Sequence, residues 1–72
     1  MSKERLTQKQ ENIYNIIKQF INKNGYSPTF REIAKIAKLN SSGTIQEYIY
    51  KLKKKGYINY IPNKNRTIRI IK

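Results

Sequence analysis

The sequence predicts a mainly α-helical fold that ends in a small β-hairpin. Three stretches of apolar residues follow the helical period of 3.6, and Gly25 and Gly56 stand where the first and third stretches end. After Gly56 the apolar period changes to 2, which is typical of a strand. We therefore expect one domain, residues 1–72, with the order helix, helix, helix, hairpin.

Helix 1 is predicted over residues 8–23. Thr7 and Gln10 have the spacing of a capping box, and Gly25 is suited to the left-handed residue that ends a helix. Five apolar residues repeat at the spacing of one buried helical stripe: Ile13, Ile16, Ile17, Phe20 and Ile21.

Helix 2 is predicted over residues 30–38. Thr29 and Glu32 form a second capping box at its start. Its apolar residues include two alanines, which allow another helix to approach closely: Phe30, Ile33, Ala34, Ile36 and Ala37.

Helix 3 is predicted over residues 42–55, after a tight turn. Asn40, Ser41 and Ser42 can all cap its start, and Gly56 ends it. Its inward side is expected to contain Ile45, Tyr48, Ile49 and Leu52.

The hairpin is predicted over residues 57–71, with its tip at 63–66 and Pro62 closing the first strand. Four residues are expected to face the core: Ile58, Tyr60, Ile68 and Ile70. Two helices joined by a turn of about four residues, followed by a hairpin, make a three-helix winged helix-turn-helix.

The charge of the chain indicates an acidic partner. Sixteen Lys and Arg residues oppose four acidic ones, which gives a net charge of +12. Duplex nucleic acid presents about one negative charge per 1.7 Å and releases counterions when cations replace them. An anionic membrane or a ribosomal RNA also offers such charge, so composition selects a class of partners with nucleic acid favoured.

The composition also excludes most small-domain chemistry. Because the chain has no cysteine and no histidine, it cannot form a zinc finger, a disulfide framework or a Ser-His-Asp triad. No apolar run approaches the roughly 20 residues that span a bilayer. We expect no enzymatic activity, cofactor, metal, small-molecule ligand or membrane partner, and a cytoplasmic, nucleoid-associated protein.

The outward side of helix 3 suits the edges of bases. It contains Gly43, Glu47, Tyr50 and Lys54, flanked by Thr44, Gln46 and Lys51. Gln46 can pair with adenine, Glu47 can accept from cytosine, and the methyl of Thr44 can meet a thymine methyl. The alternative for Glu47 is an ion pair with Lys51 on a solvated face.

Basic residues without acidic neighbours predict contacts with the DNA backbone. After position 50 these are Lys51, Lys53, Lys54, Lys55, Lys64, Arg66, Arg69 and Lys72. Tyr50 and the helix start at Thr29 are further candidates for phosphate contact. The alternative is an ordinary solvated surface.

The six tyrosines suggest a second possibility, stacking on unpaired bases, although packing within the fold is the favoured interpretation. Two other functions remain open. The domain can be a protein-interaction module that uses helix 3 or the edge of the hairpin, or it can bind structured RNA.

The chain resembles the N-terminal DNA-binding domains of the LexA repressors of the bacterial SOS response. The resemblance extends over nearly the whole chain. It rests on Leu6-Thr7-x-Lys9-Gln10, Gly25-Tyr26-x-Pro28-Thr29, Arg31-Glu32-Ile33-Ala34, Lys55-Gly56, and Arg66 followed by Ile68-Arg69.

The resemblance implies repression at a palindromic operator, with one domain on each half-site. It implies base-reading roles for Ser41, Ser42, Gly43, Thr44, Gln46 and Glu47. It also implies phosphate contacts for Lys9, Lys55 and Arg66. Alone, the domain is expected to be a monomer or a weak dimer.

The sequence departs from the LexA pattern in three ways. Gly43 stands where a longer polar residue is common, and Lys38 replaces a glycine common in the turn. The third departure is the absence of a cleavage site and a peptidase domain, so we expect no self-cleavage. The chain is either an excised domain or a single-domain regulator.

Overall fold

Three helices and a short hairpin make up the structure, a computed structural model that describes residues 5–39 and 42–71. The helices and strands are α1 (Gln8–Asn24), α2 (Phe30–Ile36), α3 (Ser42–Lys54), β1 (Ile58–Asn59) and β2 (Arg69–Ile70). The strands pair antiparallel, with Ile58 opposite Ile70. The predicted mainly helical fold with a C-terminal hairpin is confirmed.

Both predicted capping boxes form. At the start of α1, the Thr7 hydroxyl accepts from the Gln10 amide at 3.2 Å, and Gln10 Oε1 accepts from the Thr7 amide at 3.0 Å. At the start of α2 the same exchange between Thr29 and Glu32 has distances of 3.1 and 2.9 Å. Each box satisfies two amides that have no partner within the helix.

Left-handed residues follow all three helices. Gly25 (φ 79°) ends α1 and Gly56 (φ 87°) follows α3, in the positions that the sequence predicts. After α2 the left-handed residue is Lys38 (φ 61°), so this helix ends two residues before its predicted boundary. The predicted capping residues Asn40 and Ser41 lie outside the described part of the chain.

The turn after α2 is a Schellman motif. The amide of Lys38 donates to the carbonyl of Lys35 at 3.2 Å, and the amide of Leu39 donates to the carbonyl of Ala34 at 2.9 Å. This motif requires a left-handed residue at position 38, where a side chain is strained. The departure from glycine at Lys38 therefore leaves the geometry of the turn in place.

A single core joins the three helices to the hairpin. All three helices contribute to it, and the hairpin adds Ile58 and Ile68. Ten hydrophobic residues form this cluster: Ile13, Tyr14, Ile17, Ile33, Ala34, Ile45, Ile49, Leu52, Ile58 and Ile68. The predicted inward residues of α3 lie in or against it, with Tyr48 partly buried.

Ile36 does not join the core, although it belongs to the apolar pattern of helix 2. Its side chain is 51% exposed. The side of α2 that faces the core is formed by Ile33, Ala34 and Ala37, and Ile36 lies about 100° around the helix from its centre.

The wing, defined here as residues 57–71, contains less strand than its alternating pattern suggests. Beyond the two paired positions, the amide of Ile71 donates to the carbonyl of Tyr57 at 2.9 Å. The Thr67 hydroxyl closes the loop, because it accepts from the Ile61 amide at 3.0 Å and lies 3.3 Å from the carbonyls of Ile61 and Lys64. Side-chain bonds thus replace a longer ladder.

Replacement of Lys38 by glycine is expected to stabilise the domain. Glycine adopts positive φ without the clash of a Cβ, and relief of this strain is worth about 1 kcal/mol. Urea denaturation followed by circular dichroism measures the change. Lys38→Ala removes the same charge but keeps the Cβ, so it should leave stability nearly unchanged; equal stability of the two variants would argue against strain at this position.

Candidate nucleic-acid interface

Four of the predicted base-reading residues share the exposed side of α3. Gly43, Thr44, Gln46 and Glu47 are all exposed, while Ile45 between them is fully buried. The remaining two predictions, Ser41 and the side chain of Ser42, lie outside the described part of the chain. The start of α3 therefore presents small or polar groups to solvent on the side away from the core.

A groove separates α3 from the wing. Gln46 and Tyr50 of α3 line it together with Lys64 and Arg66 of the wing. Tyr50 is 56% exposed there. The tyrosines of α1 and the wing pack against other aromatic rings, whereas Tyr50 makes no such contact among the described residues. The fold thus brings base-reading and phosphate candidates from two separate segments to one surface.

Four of the predicted phosphate-binding lysines are available for a partner. Lys9, Lys51, Lys54 and Lys64 are exposed, and their ammonium groups make no hydrogen bond or ion pair within residues 5–39 and 42–71. The alternative pairing of Glu47 with Lys51 does not form in this part of the chain.

Unlike these lysines, Thr29 already has hydrogen-bond partners within the chain. Its hydroxyl already accepts from the Glu32 amide at 3.1 Å, and its own amide donates to Glu32 Oε1 at 2.9 Å. Its part in α2 is thus structural, and a phosphate contact at this residue stays a prediction.

Arg66 is bound within the chain. Its guanidinium forms a two-bond fork with the Glu32 carboxylate, with Nη1–Oε1 at 3.1 Å and Nη2–Oε2 at 3.0 Å. Nη1 also donates to the Ser27 carbonyl at 3.1 Å, and the guanidinium carbon lies 4.9 Å from the centre of the Tyr26 ring. Since Glu32 belongs to the capping box of α2, Arg66 connects the wing to the start of that helix.

Lys55 makes the corresponding connection between α3 and α1. Its Nζ donates to Gln10 Oε1 at 2.8 Å and to the Arg5 carbonyl at 2.9 Å. Gln10 is the buried N3 residue of the first capping box. In both boxes, the N3 residue therefore also binds a cation from a distant segment.

Ser27 provides a second attachment for the wing. Its buried hydroxyl accepts from the Ile68 amide at 3.0 Å and donates to the Pro28 carbonyl at 2.9 Å. Sequence reasoning missed this role of Ser27 and the second role of Glu32. One signal was present: a glutamate that uses one oxygen in a capping box keeps another for a cation, and the chain has only four acids.

The tyrosines mainly pack within the fold. Tyr14 meets Tyr57 edge-on with ring centres 5.5 Å apart, and Phe30 meets Tyr60 in the same way at 5.4 Å. Tyr26 packs against Phe20 at 5.7 Å but stays 51% exposed. These contacts favour the packing interpretation over a platform for stacked bases.

The described residues also bear on other classes of site. Across residues 5–39 and 42–71, no three histidine, cysteine or acidic side chains come together as metal ligands. None of the helices described there is long and apolar enough to cross a membrane.

Comparison with known proteins places this geometry in a family. Residues 3–67 match the family model of the LexA DNA-binding domain. The chain belongs to this family. The resemblance drawn from the sequence motifs is thereby confirmed. In this winged helix-turn-helix, the exposed polar residues lie at the start of α3.

Relatives in the LexA family are longer than this chain. The chain is 44% identical over 69 residues to the LexA repressor of Caldicellulosiruptor saccharolyticus. The matched segment covers 96% of this chain and 34% of that protein. The LexA repressor of Staphylococcus aureus strain Mu3 is also 44% identical, over 66 residues that cover 92% of this chain and 32% of the relative. The chain thus spans about a third of the length of these repressors.

The neighbours of Glu32 favour the ionised form of its carboxyl. The Thr29 amide, first, and the Arg66 guanidinium, second, hold the pKa of its carboxyl below the ordinary value of 4.5. A lowered folded-state pKa means that ionised Glu32 stabilises the fold above pH 4.5 and that this stabilisation is lost as the pH falls through the folded-state pKa.

Substitution of Glu32 by glutamine is expected to remove this pH dependence. Above pH 4.5 the wild type should be more stable than Glu32→Gln, and the difference should shrink towards zero in more acidic solution. Thermal melts between about pH 2 and 7 measure it. Glu47→Gln is the control, because its carboxylate forms no ion pair among the described residues; an identical pH profile for both variants would contradict the assignment.

Proposed function

We propose that this domain binds duplex DNA sequence-specifically, as the DNA-binding part of a LexA-like transcriptional repressor in the bacterial cytoplasm. In this proposal α3 enters the major groove and the wing follows the phosphate backbone. The function is binding rather than catalysis. The main support is the exposed, small and polar side of α3, which shares a groove with Lys64 of the wing and is followed by the exposed Lys51 and Lys54 of the same helix.

The base-reading roles follow from the positions of side chains on α3. Gln46 is proposed to pair with adenine, Glu47 to accept from cytosine, and Thr44 to contact a thymine methyl. Gly43 leaves room for the approach of a base, and Ser41 and Ser42 at the start of the helix are proposed to contact the same half-site. A helix of about 10–12 Å in diameter fits the roughly 12 Å width of the major groove.

Contacts with phosphates are proposed for the exposed cations around this helix. Lys51 and Lys54 lie in the last turn of α3, Lys64 lies at the wing tip, and Lys9 lies at the start of α1. Tyr50 and the start of α2 at Thr29 add uncharged contacts. Arginine and lysine contacts of this kind fix the register of a protein on DNA without reading sequence.

Two copies are proposed to occupy a palindromic operator. Half-sites of helix-turn-helix dimers lie about 34–36 Å apart on one face of the duplex. The longest dimension of the domain is 33 Å, so two copies fit side by side at this spacing. If the isolated domain is a monomer or a weak dimer, as proposed, its binding should be weak or cooperative.

Salt dependence tests the electrostatic part of the proposal. Four phosphate contacts by lysine give a slope of log K against log salt concentration of about −3.6 per domain, since each contact contributes about −0.9. Fluorescence anisotropy with a duplex selected from a random pool measures it. A slope near zero would exclude the lysines as phosphate ligands.

Two substitutions separate base reading from phosphate binding. Gln46→Ala should reduce discrimination at one base pair by about 1–3 kcal/mol, because the bidentate pair with the base is lost. Lys64→Ala should weaken binding to all duplexes equally and reduce the salt slope by about 0.9. Competition between the selected duplex and its single-base variants distinguishes the two effects, and an exchange of these patterns would refute the assigned roles.

A further inference from the structure

The attachment of the wing points to a role for Arg66 other than phosphate contact. We propose that Arg66 positions the wing for DNA binding by clamping it to the start of α2 through Glu32. This inference rests on the proposed DNA-binding function. It assigns Arg66 as a positioning residue and Glu32 as its partner, and it leaves direct contact with the backbone to Lys64.

Three of the five N–H donors of Arg66 are already used. Its guanidinium binds both oxygens of Glu32 and the Ser27 carbonyl, all at 3.0–3.1 Å, and its face covers Tyr26. A bidentate fork of this kind is both strong and directional. A phosphate that bound the two remaining N–H groups would lie beside the Glu32 carboxylate, which would repel it, and a fork between Arg66 and a phosphate would require Arg66 to leave Glu32.

The backbone of the wing also requires an external anchor. Arg66 has a φ of 58°, in the left-handed region where a side chain is strained. Such a conformation persists only where the surrounding structure holds it. The bonds from Arg66 to Ser27 and Glu32 supply that restraint, because they fix its side chain against a capped helix.

The sheet of the wing is too small to set its direction alone. It has two paired positions, and isolated two-stranded hairpins are marginally stable in water. Closer to its base the wing also meets the helical body through the buried Ile58 and Ile68 and through Tyr60, which contacts Phe30 and Lys53. Among the described residues, Arg66 is the only residue of the tip, 63–66, that forms a hydrogen bond to the helical body. Lys64 lies two residues from Arg66, so its distance from α3 depends on this clamp.

The substitution Glu32→Gln isolates the clamp. Glutamine keeps the capping box, as Gln10 does at the start of α1, and removes the charge that holds Arg66. If Arg66 positions the wing, this variant should bind the selected duplex about threefold to tenfold more weakly, with a salt slope reduced by about 0.9, the equivalent of one lost phosphate contact. If Arg66 instead binds phosphate, removal of the competing carboxylate leaves binding unchanged or stronger, and the inference is overturned.

Lys64→Ala in both backgrounds reports the position of the wing. In the wild type this substitution should lower the affinity, and in Glu32→Gln it should have little further effect because Lys64 has already lost its phosphate. A role in stability alone does not produce this coupling. Fully additive effects of the two substitutions would overturn the inference.

Arg66→Lys completes the test. Lysine keeps the positive charge that a phosphate requires but cannot form the fork with Glu32, so binding should weaken as it does in Glu32→Gln. Binding equal to that of the wild type would overturn the inference. Circular dichroism at the assay temperature ensures that each compared variant is folded, and the Glu32→Gln comparison carries the test where an Arg66 variant is not.

The outcomes separate this inference from the proposed function. If the wild-type protein does not bind duplex DNA, or binds it without dependence on salt, both the proposed function and the inference are overturned. Wild-type binding with the expected salt slope, together with unchanged binding by Glu32→Gln, overturns the positioning role alone.

Discussion

The direction in which α3 presents its polar side depends on the packing of α2 against it. Ile33 of α2 and Ile45, Ile49 and Leu52 of α3 are fully buried in one cluster, and Ala34 lets the two helices approach closely. The Schellman turn at Lys38 then determines how the chain leaves α2. Ile45 is buried directly between the exposed Thr44 and Gln46. A rotation of α3 that buried one of these polar side chains would therefore also expose the core.

Two long-range bonds extend this arrangement from the core to the surface. Lys55 joins the end of α3 to the start of α1, and Arg66 joins the wing to the start of α2. In each case the partner is the N3 residue of a capping box, Gln10 or Glu32. The same side chains therefore define where a helix begins and where a distant segment lies, which lets 72 residues with a modest core hold a defined surface.

Much of the fold was predictable because it is encoded locally. Capping boxes depend on residues three apart, and glycine at a left-handed position depends on one residue, so the starts of α1 and α2 and the ends of α1 and α3 follow from short patterns. The end of α2 was less predictable because Lys38 adopts a conformation that glycine usually occupies. The exposure of Ile36 does not follow from the sequence, because its place on the helix depends on which side of α2 meets α1 and α3.

The candidate site shows the same division. The exposed side of α3 follows from its buried side by helical geometry, so Thr44, Gln46 and Glu47 could be selected from the sequence. The binding of Lys55 and Arg66 within the chain could not, since their partners lie 45 and 34 residues away. The sequence does not show whether a basic side chain is free to bind a partner or already bound within the chain. Only the structure shows that Lys64 is exposed without a bond to its ammonium group among the described residues, while Arg66 is bound to Glu32.

The hydroxyl that closes the wing has a consequence for how such domains diverge. Thr67 holds the loop through its contacts with Ile61 and Lys64, so the hairpin does not depend on a continuous ladder of backbone bonds up to its tip. Residues 63–65 at the tip are exposed and do not belong to the core cluster. Evolution can therefore alter the length and charge of the tip, and with them the reach of the domain along a duplex, while the isoleucine core stays the same.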